Sequence, residues 1–98
     1  MATLLDGVTT DTVGTGASHT GPCSVFVTGT PDGATVTIEV SPTTNTADYV
    51  KADRSLINCA VFRNQTGSSV VDGQGTYYVR ALLSGAGDST DVTVTTTQ

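Results

Sequence analysis

The chain has 98 residues and a formal net charge of −5, nine carboxylates standing against Lys51, Arg54, Arg63 and Arg80. That length is one domain, able to bury roughly 60–70% of its unfolded-chain surface, and the acidic balance excludes the basic footprint that non-specific nucleic-acid binding needs. Apolar residues make up 37%, charged residues 13% and Thr about a fifth; such a chain, poor in Glu, Lys and Leu, argues against helices and for pleated, half-exposed strands.

Residues 1–22 are weakly patterned, with Leu4, Leu5, Val8 and Val13 as their only large apolar side chains. They are expected to form a weakly structured N-terminal arm or an edge strand around Val8–Val13, outside a single β-sandwich domain over 23–98. The first residues lack the basic start and apolar run of a secretion leader. No segment approaches the ~18 apolar residues of a membrane span. Synthesis in the cytoplasm, with no membrane partner, is the expectation.

Strand signals begin at Cys23. In Cys23–Thr28, Cys23, Val25 and Val27 point one way, and Ser24, Phe26 and Thr28 the other. Pro31-Asp32-Gly33 is a turn signal, since Pro presets φ, Asp bonds back to the backbone and Gly accepts positive φ. Ala34–Val40 alternates again, with Ala34, Val36, Ile38 and Val40 inward and Thr35, Thr37 and Glu39 outward, and the two runs predict a β-hairpin. A loop over 41–45 leads to a short run at Tyr49-Val50-Lys51. Leu56–Phe62 is apolar enough for a buried strand, and Ser68–Val71 for a short one. Thr76–Leu83 presents Tyr77, Val79, Ala81 and Leu83 on its more apolar face. After Ser84-Gly85-Ala86-Gly87, Asp91–Thr95 buries Val92 and Val94.

Six to eight short strands without helical periodicity predict an all-β fold, an antiparallel β-sandwich that is jelly-roll-like or immunoglobulin-like. Its core would rest on Val, Ile and Leu with Phe26, Phe62 and the tyrosines. Each buried large side chain contributes about 1.5–3 kcal/mol, so stability alone is expected to be modest and to gain from oligomerisation or docking.

No catalytic constellation emerges. His19 is the only imidazole; it falls in a Ser/Thr/Gly stretch and is expected to be a solvated loop residue, with no nucleophile arrangement around Ser18. The pairs Gly14/Gly16, Gly73/Gly75 and Gly85/Gly87 precede no helix and predict turns, not phosphate cradles. Asp88 and Asp91 offer one or two of the six to eight oxygens a Ca²⁺ ion takes. No metal site and no cofactor are expected. Cys23 and Cys59 sit in apolar runs and are expected as two buried thiols. Arg80 is expected to point outward across the Tyr78 ring, and Glu39 to be solvated.

Several segments carry a resemblance. Ala2-Thr3-Leu4-Leu5 with its Thr/Gly-rich leader, Val25-Phe26-Val27-Thr28-Gly29-Thr30, Ala34-Thr35-Val36-Thr37-Ile38-Glu39-Val40-Ser41-Pro42, and Tyr77-Tyr78-Val79-Arg80-Ala81 with Ser84-Gly85 resemble, in that order, small β-rich virion proteins of tailed bacteriophages. The resemblance implies a non-enzymatic head decoration, or cement, protein on the capsid exterior. Its partner would be the major capsid protein, clamped between neighbouring subunits by a homodimer or homotrimer. Many relatives carry an aromatic, often Trp, after the Ser-Pro turn, where this chain has Asp48-Tyr49-Val50. Leu4, Leu5 and Val8 are the candidate partner contacts. A narrower resemblance, over Thr76–Thr97, is to the last two strands of fibronectin type III domains. The alternative function is an adhesion or carbohydrate-binding β-module of a tail or fibre.

Overall fold

The structure, a computed structural model, describes residues 2–53 and 55–98. In chain order its strands are β1 (Ala2–Val8), β2 (Thr12–Val13), β3 (Ala17–Thr20), β4 (Cys23–Thr30), β5 (Thr35–Ser41), β6 (Val50–Lys51), β7 (Val61–Arg63), β8 (Gly67–Val71), β9 (Thr76–Ser84) and β10 (Asp91–Thr97). A 3-10 turn, Thr46–Asp48, lies between β5 and β6. The strands form two antiparallel sheets packed as a sandwich. One has the order β1-β10-β4-β8; in the other, β9 lies between β5 and the short β2 and β3, and β6 and β7 flank β5. The count exceeds six to eight because β2 and β6 are two-residue pieces.

Alternation builds the core as expected. Cys23, Val25 and Val27 of β4 and Val92 and Val94 of β10 face Val36 and Ile38 of β5 and Tyr77, Val79, Ala81 and Leu83 of β9. Ile57, Phe62 and Val71 close one side. Phe26 does not join them: it is 37% exposed on the outer face of the four-stranded sheet, on the side its register with Cys23, Val25 and Val27 dictates.

β4 and β5 are not a hairpin. Their connection crosses from one sheet to the other, so the two strands face each other through the core instead of pairing. Period-2 patterning settles which side chains point inward, but both arrangements satisfy it. The turn is still the one its residues specify: Ala34 N donates to Pro31 O at 3.0 Å, with Asp32 at φ 48° and Gly33 at φ 86°. Asn64 Oδ1 accepts from Gly33 N at 2.7 Å and locks the turn from outside. The connection between β9 and β10 also crosses, so the last two strands lie in different sheets, whereas those of an immunoglobulin-type sandwich share one.

The N-terminal residues are an integral edge strand, not a loose arm. β1 pairs with β10, and register shifts between Thr3 and Leu5 and between Leu5 and Val8 mark β-bulges. An extra residue lets consecutive side chains turn to one face, and Leu4 and Leu5 are both buried, at 4% and 3% exposure. The expected strand over Leu56–Phe62 is likewise broken. Ile57 and Phe62 are both buried, yet an odd separation cannot put two residues on one face of a regular strand. The chain turns at Asp53, whose carbonyl accepts from Leu56 N and Ile57 N at 3.0 and 2.9 Å, and resumes as β7.

Replacing either N-terminal leucine by Ala should cost about 2–5 kcal/mol, a large share of the ~5–15 kcal/mol typical of such a domain. Deleting residues 1–12 should prevent folding, because it also uncovers β10. Urea unfolding followed by circular dichroism checks both; a truncated chain with a native-like transition would show that β1 is dispensable.

Candidate functional site

The inward side of the six-stranded sheet holds the polar residues with the most chemistry, and they are structural. His19 lies on β3, 4% exposed, not in a solvated loop. Its Nδ1 is 3.1 Å from Ala17 O, an acceptor only, so Nδ1 is the donor there, and in the neutral ring Nε2 accepts from the Thr96 hydroxyl, 2.7 Å away. Thr96 belongs to β10, so the imidazole ties the two sheets together. The ring also stacks on Tyr77, centroids 6.0 Å apart. Tyr77 donates to Gly21 O at 2.6 Å and lies 3.5 Å from Cys23 Sγ. Burial pushes the Cys23 thiol up, the Tyr77 hydroxyl partly offsetting it, and burial pushes the Tyr77 phenol above its usual range. Both cysteines are free; Cys23 is buried and Cys59 only half-buried. Sequence pattern missed His19 because Ala17-Ser18-His19-Thr20 contains no apolar alternation.

The outward side of the same sheet is organised around Arg80. Strand register sets Arg80 of β9 opposite Glu39 of β5. Its Nε and Nη2 both donate to Glu39 Oε1, each at 2.7 Å. Tyr49, in place of the expected Tyr78, covers the guanidinium, with Cζ 4.2 Å from its ring centroid. Glu39 is thus paired instead of solvated; the two side chains are 12% and 17% exposed. Burial raises the Tyr49 phenol, Arg80 pulls it down in part, and Tyr78 adds to the rise. The segment before Tyr49 is held by its own hydrogen bonds: Asn45 Oδ1 accepts from Ala47 N at 3.1 Å, and Ser41 Oγ donates to Thr43 O at 2.7 Å. Across the sheet the Tyr49 hydroxyl reaches Gly16, where any Cβ would collide with it. Between these segments lies a cleft of about 600 Å³, floored by Ser18, Tyr78 and Arg80 and rimmed by Thr15, Thr44, Thr46 and Tyr49.

The outer face of the four-stranded sheet is different in kind. One cross-strand row reads Thr3, Thr95, Phe26, Ser68, and the next Thr97, Ser24, Val70. These rows carry no charge; Phe26 is 37% and Val70 52% exposed. Of the contact residues expected from sequence, Leu4 and Leu5 are in the core and Val8 is half-buried against it. The bulges of β1 are the physical reason: they consume the side chains that a surface arm would have offered.

Among the described residues no group of three or more His, Cys, Asp or Glu side chains comes together. The carboxylates that hold the Gly-rich loop before β10 are Asp32 and Asp11, which accept from Ser89 N at 2.8 Å and Ala86 N at 2.9 Å. No helix among the described residues is long and apolar enough to cross a membrane.

Two outcomes follow from this chemistry. Glu39→Gln leaves the Arg80 guanidinium half-buried without its counter-charge and should cost about 1–2 kcal/mol, discounted from a fully buried pair for its remaining contact with water; chemical denaturation reads it, and a loss within error would mean that solvent already screens the pair. Thiol alkylation of the native protein should label Cys59 well before Cys23, whose raised pKa and burial keep it protonated and shielded. Equal rates, by mass spectrometry, would contradict that burial.

Comparison with protein-family models, with curated proteins and with solved structures finds no match to this chain.

Proposed function

We propose that the protein is a non-enzymatic decoration protein of a tailed-bacteriophage head, seated on the outer capsid surface and bridging neighbouring major capsid subunits. The observation that carries the proposal is the uncharged Thr/Ser middle of the four-stranded sheet's outer face, with Phe26 at its centre, Val70 beside it and the carboxylates of Asp6 and Asp91 toward its edge. A chain of net charge −5 that keeps the middle of one face free of ionised groups lowers the desolvation cost of docking there. The sequence resemblance to small phage virion proteins supplies the partner. His19, the chain's one imidazole, has both ring nitrogens bonded inside the fold, which favours a structural role over acid–base work.

The size of the face constrains the mechanism. Four strands ~4.8 Å apart and about five residues long at ~3.3 Å each cover roughly 300 Å². A stable pairwise interface takes ~800 Å² from each partner. One such contact is therefore weak, and tight binding would come from several contacts held at once, by bridging subunits and by assembly of the decoration protein into a homodimer or homotrimer.

The test is copy number in purified virions, by quantitative mass spectrometry against the major capsid protein, together with capsid binding by Phe26→Asp. A ratio near one, or a simple fraction of it, with binding lost in a variant that unfolds at the wild-type denaturant concentration, is the expected result. A handful of copies would move the protein to the tail or fibre, and unchanged binding by Phe26→Asp would remove this face from the interface.

A further inference from the structure

The cleft over Tyr78 lies on the side of the sandwich away from the Phe26 face. A copy docked through the four-stranded sheet would hold that cleft open to solvent. Its shape and chemistry limit what can enter. About 600 Å³ is within the range of small-molecule sites, enough for one or two sugar rings. The floor is the half-buried Tyr78 with Ser18 directly opposite it in the β3–β9 register. The walls combine hydroxyls, from Thr15, Thr44 and Thr46, with the Tyr49 ring and the exposed Val13.

Charge is the deciding property. Arg80 is the one ionisable group with a full charge at neutral pH among the lining residues, and both its Nε and Nη2 are spent on Glu39 under the Tyr49 ring. A phosphate or carboxylate entering the cleft would meet a guanidinium whose charge Glu39 already offsets, with two of its five N–H donors taken. A cationic ligand would find no lining carboxylate. The cleft therefore suits a neutral molecule with one apolar face for the tyrosine and a rim of hydroxyls for the threonines and serine. That combination describes a pyranose ring, whose C–H face packs on aromatic rings and whose edge exchanges hydrogen bonds with hydroxyl groups. A proline-rich peptide would also use tyrosines, but grooves for such peptides are lined chiefly by aromatic side chains, and here two tyrosines stand among three threonines, a serine and Val13.

The rim is also pre-organised. Tyr49 is held by the Arg80–Glu39 pair on one side and fits against Gly16 on the other, and the Asn45 and Ser41 bonds brace the segment that carries it. A rim already fixed does not lose that freedom on binding.

We infer that this cleft is a binding site for neutral carbohydrate, with the sugar's apolar face on Tyr78. The inference goes beyond the capsid proposal and stands without it, since only the outward orientation of the cleft depends on docking through Phe26.

Saturation-transfer NMR on the full chain tests it, with glucose, galactose, N-acetylglucosamine, maltose and lactose as neutral probes, sialic acid as the anionic probe and a proline-rich decapeptide as the competing class. At least one neutral sugar should receive saturation at its ring C–H protons and shift the amides of Ser18, Thr46 and Tyr78. Affinity should fall about tenfold or more in Tyr78→Ala, the loss of one anchoring ring, and return in Tyr78→Phe, which keeps the ring. Thr46→Ala, on an exposed turn outside the core, gives a second reading in a variant that keeps its fold. No response to any neutral sugar, binding of the decapeptide or of sialic acid alone, or sugar binding that neither variant weakens would overturn the inference. None of those results bears on copy number in virions, so the two proposals fail separately.

Discussion

The buried hydroxyl of Thr90 joins two of the connections that cross between the sheets. Both β4→β5 and β9→β10 cross from one sheet to the other, and they meet at one end of the sandwich. Thr90 Oγ1 donates to Pro31 O at 2.8 Å in the first crossing and accepts from Gly87 N at 2.8 Å in the second. Asp32 in the first crossing accepts from Ser89 N in the second. Without the β9→β10 crossing, β10 would follow β9 in the same sheet, and β4 would lose its neighbour along Ser24–Thr30. The core then depends on a few hydrogen bonds at its rim, each worth only about 0.5–1.5 kcal/mol net but costly to leave unmade once buried. Among the described residues no buried side-chain polar atom is left without a partner.

This dependence explains how much of the fold was legible in the sequence. The strands at Cys23–Thr30, Thr35–Ser41, Thr76–Ser84 and Asp91–Thr97 show in their alternation, because a two-residue period is forced wherever one face is buried. Their inward residues follow from it. Which strands share a sheet does not, since a hairpin and a crossing bury the same residues. Pro31-Asp32-Gly33 announces a tight turn in either case. The N-terminal strand was obscured for a different reason. Bulges around Leu4, Leu5 and Gly7 break the period, and two adjacent leucines then look like an unpatterned arm.

The surfaces were legible by halves. Arg80 and Glu39 stand on outward positions of strands plain in the sequence, but their pairing needs the β5–β9 register, and Tyr49 comes from a loop whose path no periodicity encodes. The Phe26 face needed only the alternation of β4 to be placed outside, yet five aromatic residues in 98 invite the assumption that all are spent on the core. Phe26 is the residue for which alternation and hydrophobicity disagree, and alternation prevails. Burying it would turn Cys23, Val25 and Val27 outward, exchanging one ring for three core side chains.

The two outer faces differ because their central strands carry different outward residues, and that difference gives the module a polarity. Over β10 and β4 the outward positions are Thr, Ser and one Phe, with Asp91 at one end, and in the middle these short or rigid side chains make a flat plate. Over β9 and β5 they include Tyr78, Arg80 and Glu39, long side chains that interlock and leave a hollow between the loops beside them. A flat plate with an uncharged middle suits another protein surface, where area is gathered by repetition. A hollow with a fixed tyrosine rim suits a small ligand, where affinity comes from enclosure. Because a close-packed core transmits displacement poorly unless it has a second arrangement to adopt, occupancy of the hollow should leave the plate unchanged. The two faces can then act independently, the first, on the proposed reading, docking on a capsid and the second taking a small ligand.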